Sequence, residues 1–469
     1  MSDEPVFAVV GHPNKGKSSI VSTLARDDSV RIAPEPGTTT TCRRYPMKLD
    51  GRVQYTLVDT PGFQRARRAL AWMRERETTA AEHRAVVADF VSVHRGRGLF
   101  DDECELLTPV LEGAGILYVV DGSLPYGPEY EAEMEILRWT GEPSLALINP
   151  IGAEDHVAEW RAALAQYFKI VRVFDALTAP FEKRLELLRA FGQLKESWRA
   201  PLDAAVRALE DERRRVHARV ARAIAEMLVD MLTLSVTRRL GVGADPAFYQ
   251  AALERELEDA LRERERRGRA AVEAIYGHHR VQRSEQDVAL LHQDLFSSEH
   301  WYFFGLSRRQ LLTTGAAGGA VLGGALDVGL GGASLLLGTL VGATVGGATA
   351  WLSQGRLARA RVMNLPLGGK LLRCGPSRDV NFPYVILGRA LYHHARVAGR
   401  THADREALSL GAAGDAPNWV ERLASGTREE LERHFRALRR GNAGAAATDE
   451  LASLLEPVVA EADAVPGGA

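Results

Sequence analysis

Gly11-His12-Pro13-Asn14-Lys15-Gly16-Lys17-Ser18-Ser19 has the spacing of a polyphosphate cradle, G-x-x-x-x-G-K-S. Glycines in this pattern let backbone N–H groups turn inward around an anion, and a helix starting at the lysine adds the partial positive charge of its N-terminus. Lys17 would reach the β and γ phosphates, and the Ser18 hydroxyl would ligate Mg²⁺. Gly11, Asn14, Lys15, Gly16 and Ser19 complete the candidate binding set. Asp59-Thr60-Pro61-Gly62 follows an apolar run. An aspartate at such a strand end can hold Mg²⁺ through water, and the Gly62 N–H can contact the γ phosphate. Between the two motifs lies Pro36-Gly37-Thr38-Thr39-Thr40-Thr41. A threonine in that loop can close over Mg²⁺ and the γ phosphate, then release after hydrolysis.

The elements that would position these groups are legible as short apolar runs. Val6–Val10, Val53–Val58, Gly115–Val120, Leu145–Ile148 and Ile170–Phe174 read as buried strands, and helical segments lie between most of them. That alternation implies an α/β fold with a mainly parallel sheet covered on both faces. The strand before Gly11 and the helix-forming Ile20–Arg26 after it give the phosphate loop its required context. From 182 to about 297 the strand signal disappears. Val206, Leu209, Val216, Val220, Ile224, Met227 and Met231 recur at helical steps, and 247–274 alternates Glu and Arg, as in long amphipathic, solvated helices.

The order GxPNxGKSS, PGTTT and DTPG resembles the translation-factor-like GTPases of the TrmE, Era and EngA group, over roughly residues 5–180. The resemblance implies GTP hydrolysis with Mg²⁺. It makes Thr39 the expected switch threonine, with Thr38 and Thr40 as neighbouring alternatives in a run of four. Lys17, Thr39 and Gly62 are then the catalytic set, and Ser18, Thr39 and Asp59 the metal set. Phe63 follows the DxxG glycine, so no side chain at that position can orient the attacking water. Several members of the group use K⁺ beside the phosphates, held partly by the loop asparagine. Asn14 matches that position; the alternative is a side chain that braces the loop. The group reads guanine with N/T-K-x-D. Here the corresponding residues are Asn149-Pro150-Ile151-Gly152, so the lysine and the aspartate are missing. Losing a buried polar partner weakens discrimination, and GTP remains the expected nucleotide. Asp155 comes three residues late and substitutes only if the loop rearranges. Ala176, in Phe174-Asp175-Ala176, matches the alanine of the last base-contacting loop. The chain as a whole is similar to bacterial proteins that join such a GTPase to a C-terminal domain of unknown function.

The expected organisation is a GTPase domain over 1–180 with a helical insertion at about 64–108, long amphipathic helices over 182–300, and a helical domain over 301–440. A weakly ordered tail is expected over 441–469. The insertion directly follows the second switch and is a candidate effector element. Within the third region, 311–352 carries one charge, Asp327, and glycines at steps of four, Gly315-Gly319-Gly323 and Gly338-Gly342-Gly346. That spacing permits close helix packing. Arg308 and Arg309 before the run, and Arg356, Arg359 and Arg361 after it, favour a glycine-rich hairpin entering a membrane from the cytosolic side. The alternative is a close-packed pair buried in a soluble domain.

Lys plus Arg is 59 and Asp plus Glu is 61, a net charge of −2. That balance argues against a generally basic nucleic-acid binder. No basic, aromatic-laced module stands out in 182–440, so nucleic acid is not an expected partner. The expected partners are GTP and GDP, a membrane through 311–352, and a protein effector. A soluble GTPase acting on RNA or ribosome assembly is the alternative, and a nucleotide-binding scaffold with little turnover is a third reading. Three distant cysteines exclude a disulfide scaffold. With no basic-then-apolar N-terminal segment, the expected location is the cytoplasmic face of the inner membrane, or the cytoplasm. His278, His279, His292, His300, His393 and His394 lack metal-ligand spacing and read as surface histidines.

Overall fold

The structure, a computed structural model, describes residues 4–26, 30, 41–77, 79–241, 243–276, 361–364, 370–399, 418–441, 444 and 446–464. Thr38–Thr40, the glycine-rich run 311–352, and His278, His279, His292 and His300 lie outside the described residues. The chain divides into two compact units, built around Met1–Glu212 and around Arg213–Gly399 with Glu406–Ala469.

The first unit is an α/β domain. In chain order it contains β1 (Val6–Val10), α1 (Lys17–Ala25), β2 (Arg43–Leu49), β3 (Arg52–Asp59), α2 (Ala66–Arg74), α3 (His83–His94) and α4 (Asp101–Leu111). β4 (Gly115–Asp121), α5 (Glu129–Trp139), β5 (Ser144–Asn149), α6 (Val157–Leu164), β6 (Val171–Val173) and α7 (Phe181–Gly192) follow, and α8 (Glu196–Thr233) begins here. The strands form one six-stranded sheet in the order β2-β3-β1-β4-β5-β6. All pairs are parallel except β2 with β3. Alternate residues of each strand feed opposite cores. Ala8, Val10, Ile116 and Tyr118 join the core built with α2–α6. Phe7, Val9, Leu117 and Val119 join the core built with α1, α7 and the start of α8, where Phe7 stacks on Phe191 at 4.2 Å. Double coverage is why these strands read as continuous apolar runs.

β2 is an element the apolar-run reading omits. It alternates buried Tyr45, Met47 and Leu49 with exposed residues, the pattern of a strand with one wet face. Asp50 and Gly51 join it to β3 with φ of 48° and 76°, the positive values that a two-residue hairpin turn of the primed kind demands.

The second unit contains residues 213–233 of α8, β7 (Val236–Leu240), α9 (Pro246–Tyr276), β8 (Arg361–Asn364), β9 (Lys370–Cys374), α10 (Phe382–Ala398), α11 (Trp419–Arg422), α12 (Ser425–Arg439) and α13 (Ala447–Ala464). Val220, Ile224 and Leu228 of α8 pack with Leu253, Leu257 and Leu261 of α9, Phe435 of α12, and Leu451 and Leu455 of α13. The unit is largely helical, but it also holds an antiparallel sheet, β7-β9-β8. β7 falls inside the stretch read as strandless, because Val-Thr-Arg-Arg-Leu carries no apolar run.

Two further expectations are corrected. Residues 447–464 form α13 rather than a weakly ordered tail, since Leu451, Leu455, Val458, Val459 and Ala462 give the segment a buried stripe. His393 and His394 are buried, not surface, residues. His393 Nε2 lies 3.1 Å from Glu273 Oε1, and His394 Nε2 donates to the Val459 carbonyl at 3.1 Å. α10 is therefore buried on almost every side. It also carries Arg389, whose Nε donates to Glu265 Oε1 at 2.6 Å, so this buried charge is paired.

Candidate nucleotide site

The phosphate loop leaves the sheet at the carboxyl end of β1 and turns into α1. Its backbone explains its glycines. A Cβ on Gly11, at φ 143°, would lie 2.4 Å from the Val119 carbonyl oxygen. Asn14 and Gly16 are left-handed, at φ 59° and 78°. The loop wraps the Lys17 ammonium, which donates to the His12 carbonyl at 2.8 Å and the Gly11 carbonyl at 3.3 Å. Burial pulls the Lys17 ammonium down to about 8, opposed by Asp59 and Glu133.

Ser18, at the first turn of α1, donates its hydroxyl to Asp59 Oδ2 at 2.9 Å. The two proposed Mg²⁺ groups, forty-one positions apart in sequence, are therefore adjacent. A serine hydroxyl beside a carboxylate at a phosphate loop is a donor set suited to a hard divalent cation. Thr60 Oγ1 donates to the Val9 carbonyl at 2.7 Å, tying the end of β3 to β1. Gly62 passes so close to the loop that a Cβ there would sit 2.5 Å from Pro13 N. Phe63 donates its N–H to the Gly11 carbonyl at 3.2 Å and turns its ring into the core. It thus offers no side chain to a water at the phosphates.

Asn149 braces the loops. Its Nδ2 donates to the Lys15 carbonyl at 3.3 Å, and its Oδ1 accepts the Ala176 N–H at 3.1 Å. Asp155 accepts the Val157 N–H at 3.0 Å, so it caps the start of α6 rather than standing in for the missing aspartate. Lys15 Nζ lies 4.0 Å from Asp121 Oδ2, and burial lowers its pKa. Ser19 is half-buried on α1. Thr39 lies outside the described residues.

Two acids on helices flank this site, and neither motif announces them. Glu133 of α5 is buried, with Oε1 2.7 Å from His12 Nδ1 and Oε2 accepting the Tyr118 hydroxyl at 2.9 Å. Burial raises its pKa, opposed by its hydrogen bonds to His12 and Tyr118. Glu103 of α4 accepts the N–H groups of Gln64 and Arg65. The available sequence signal was an acid set among apolar neighbours, Tyr130, Met134 and Leu137 around Glu133.

Residues 6–149 match a family model described as a 50S ribosome-binding GTPase. Residues 161–455, more than half of the chain, match a model described as a domain of unknown function, DUF3482. The chain belongs to the DUF3482 family. In this DUF3482 protein the phosphate loop, Asp59–Gly62 and Asn149 all fall inside the GTPase match, so a GTPase domain of the TrmE, Era and EngA type precedes the DUF3482 domain. It is 33% identical over 122 residues to the GTPase Der of Methylococcus capsulatus, covering 24% of each chain. It is 29% identical over 163 residues to GTPase Der of Acidithiobacillus ferrooxidans, covering 32% of this chain and 36% of the relative. The DUF3482 protein thus spans about a quarter to a third of the length of these relatives. A solved structure of Era in complex with MgGDPNP and nucleotides of 16S ribosomal RNA aligns at a TM-score of 0.28 and 16% identity, over 58% of this chain and 89% of that one.

Proposed function

We propose that the first unit binds GTP with Mg²⁺ and hydrolyses it, and that the cycle sets the state of the DUF3482 domain. The carrying observation is the Ser18–Asp59 hydrogen bond beside a loop that encloses Lys17. On this reading Lys17 neutralises the β and γ phosphates, Ser18 and Asp59 hold Mg²⁺, and the Gly62 N–H meets the γ phosphate. Mg²⁺ supplies charge stabilisation for the transferred phosphoryl group. Thr39 would complete the metal set from the Thr-rich loop. Asn14 either holds K⁺ or braces its loop.

Base recognition is the weak part of the site. Asn149 and Ala176 are positioned by each other, and the motif position that would supply the carboxylate is Gly152. Modest preference for GTP over ATP is therefore expected. Calorimetric titration with non-hydrolysable GTP and ATP analogues, with Mg²⁺ and with chelator, tests this reading. Tight, Mg²⁺-dependent binding of the GTP analogue supports it, and no binding of either analogue overturns it.

For the partner, the ribosomal reading is preferred to the membrane reading. The family model is that of a ribosome-binding GTPase. The membrane reading rests on 311–352 alone, and no helix among the described residues is long and apolar enough to cross a membrane.

A further inference from the structure

The antiparallel sheet of the second unit carries a charge pattern that no stretch of sequence displays, because its strands come from 236–240, 361–364 and 370–374. Residues directly opposite in such a sheet share a face. Thr237 pairs with Arg373, and Arg373 with Arg361. One step along the same face, Arg239 pairs with Leu371, and Leu371 with Met363. The opposite face carries buried Leu372 and Cys374, and its Arg238 is paired with Glu256 of α9. Arg239, Arg361 and Arg373 are exposed. Among the described residues no carboxylate pairs with any of them.

Like charges directly opposite one another destabilise a strand pair. Arg361 faces Arg373, and Arg239 stands one position away along the same face. Such an arrangement is relieved by an anion that bridges the guanidiniums. Arginine is the side chain whose planar fork suits phosphate oxygens, and its plane also stacks on bases. Leu371 is half-buried, with Arg239 on one side and the exposed Met363 on the other. One exposed large apolar side chain gives little area to bury in lipid, whereas three guanidiniums on one face suit the successive phosphates of an extended strand.

We propose that this sheet face binds single-stranded RNA through its phosphates, with Arg239, Arg361 and Arg373 as the contacting residues. This deepens the ribosomal reading of the partner and is independent of the nucleotide site. The pattern is compatible with little base preference, since phosphate contacts carry no sequence information.

The test uses the full chain and a fluorescein-labelled single-stranded RNA oligonucleotide, followed by anisotropy across a KCl series. The parent should bind, and affinity should fall as salt rises. The triple variant Arg239→Gln, Arg361→Gln, Arg373→Gln should bind at least about tenfold more weakly, with a log–log salt slope reduced by about 2, near 0.7 per lost phosphate contact. Circular dichroism checks that the exposed substitutions leave the fold intact, and Arg238→Gln, on the opposite face, is the control and should bind like the parent. RNA bound equally by parent and triple variant overturns the site while leaving the ribosomal reading standing. No binding of RNA by the parent overturns both. Binding only to vesicles of anionic lipid, lost in the triple variant, would assign the face to a membrane and overturn the proposal. GTP hydrolysis should be the same in all variants, which separates this test from that of the nucleotide site.

Discussion

Glu103 Oε1 accepts two consecutive backbone N–H groups, those of Gln64 at 2.8 Å and Arg65 at 2.5 Å. These groups stand at the start of α2, whose own N-cap residue supplies no side-chain hydrogen bond. A carboxylate there satisfies donors that the helix leaves open and meets the positive end of its dipole. Two residues on, Glu105 accepts the Cys42 thiol at its carbonyl, 3.1 Å away. One stretch of α4 thus holds the backbone that follows Gly62 and the residue just before β2.

Glu103→Ala should therefore deprive the Gln64 and Arg65 N–H groups of their buried carboxylate acceptor. The expected loss of stability is about 1 to 2 kcal/mol, measured by urea unfolding of the first-unit transition. Hydrogen exchange at 64–70 should accelerate in the same variant. Unchanged exchange there would show that α4 does not hold this segment.

The pH dependence of nucleotide binding follows from Lys17. Its ammonium is drawn down to about 8 by burial, with Asp59 and Glu133 opposing. The free site carries a charged lysine below that pH and a neutral one above it, and a polyphosphate prefers the charged form. Affinity for a GTP analogue should be level below about pH 7 and fall as pH rises through 8. Glu133→Gln removes one of the opposing charges, so the decline should begin at lower pH. Identical pH profiles for parent and variant in fluorescence titrations would remove Glu133 from the site's electrostatics.

A second pH effect belongs to the other unit. Burial pushes the His394 imidazole down to about 4, with Asp463 opposing. The folded state prefers the neutral ring, so this contribution is complete above the unfolded value near 6.5. It is lost as pH falls from there towards 4, by up to about 3 kcal/mol. His394→Gln should flatten thermal stability against pH across that window. The parent's slope persisting in the variant would place the acid sensitivity elsewhere.

Asn14 gives a cation test. Phosphate release should be faster in KCl than in NaCl at equal ionic strength if its side chain helps to hold K⁺ beside the phosphates. Equal rates would leave it as a loop brace, a role its left-handed φ of 59° already suits.

The sheet of the first unit was legible because double coverage makes β1, β4 and β5 uninterrupted apolar runs between helices, and the phosphate loop because its chemistry demands fixed spacing. β2 was missed although Asp50-Gly51 is a hairpin signal, since alternation over Arg43–Leu49 is fainter than an apolar run. β7, with two consecutive arginines, offered no strand signal at all. α13 hid in an Ala- and acid-rich tail whose buried stripe shows only at helical spacing. Glu133 and Glu103 were invisible as site residues, because their partners lie 121 and 39 positions away. The same holds for the three sheet-face arginines, which only strand pairing brings together.

The most direct test of the GTPase reading is Mg²⁺-dependent phosphate release from GTP by the purified full chain, compared with Lys17→Ala. The expected result is turnover by the parent, abolished by chelation of Mg²⁺ and reduced at least about a hundredfold in the variant, which loses the main cation facing the developing charge. Hydrolysis by Lys17→Ala at the parent's rate, or no hydrolysis by a parent that is folded and supplied with Mg²⁺ and K⁺, would contradict it.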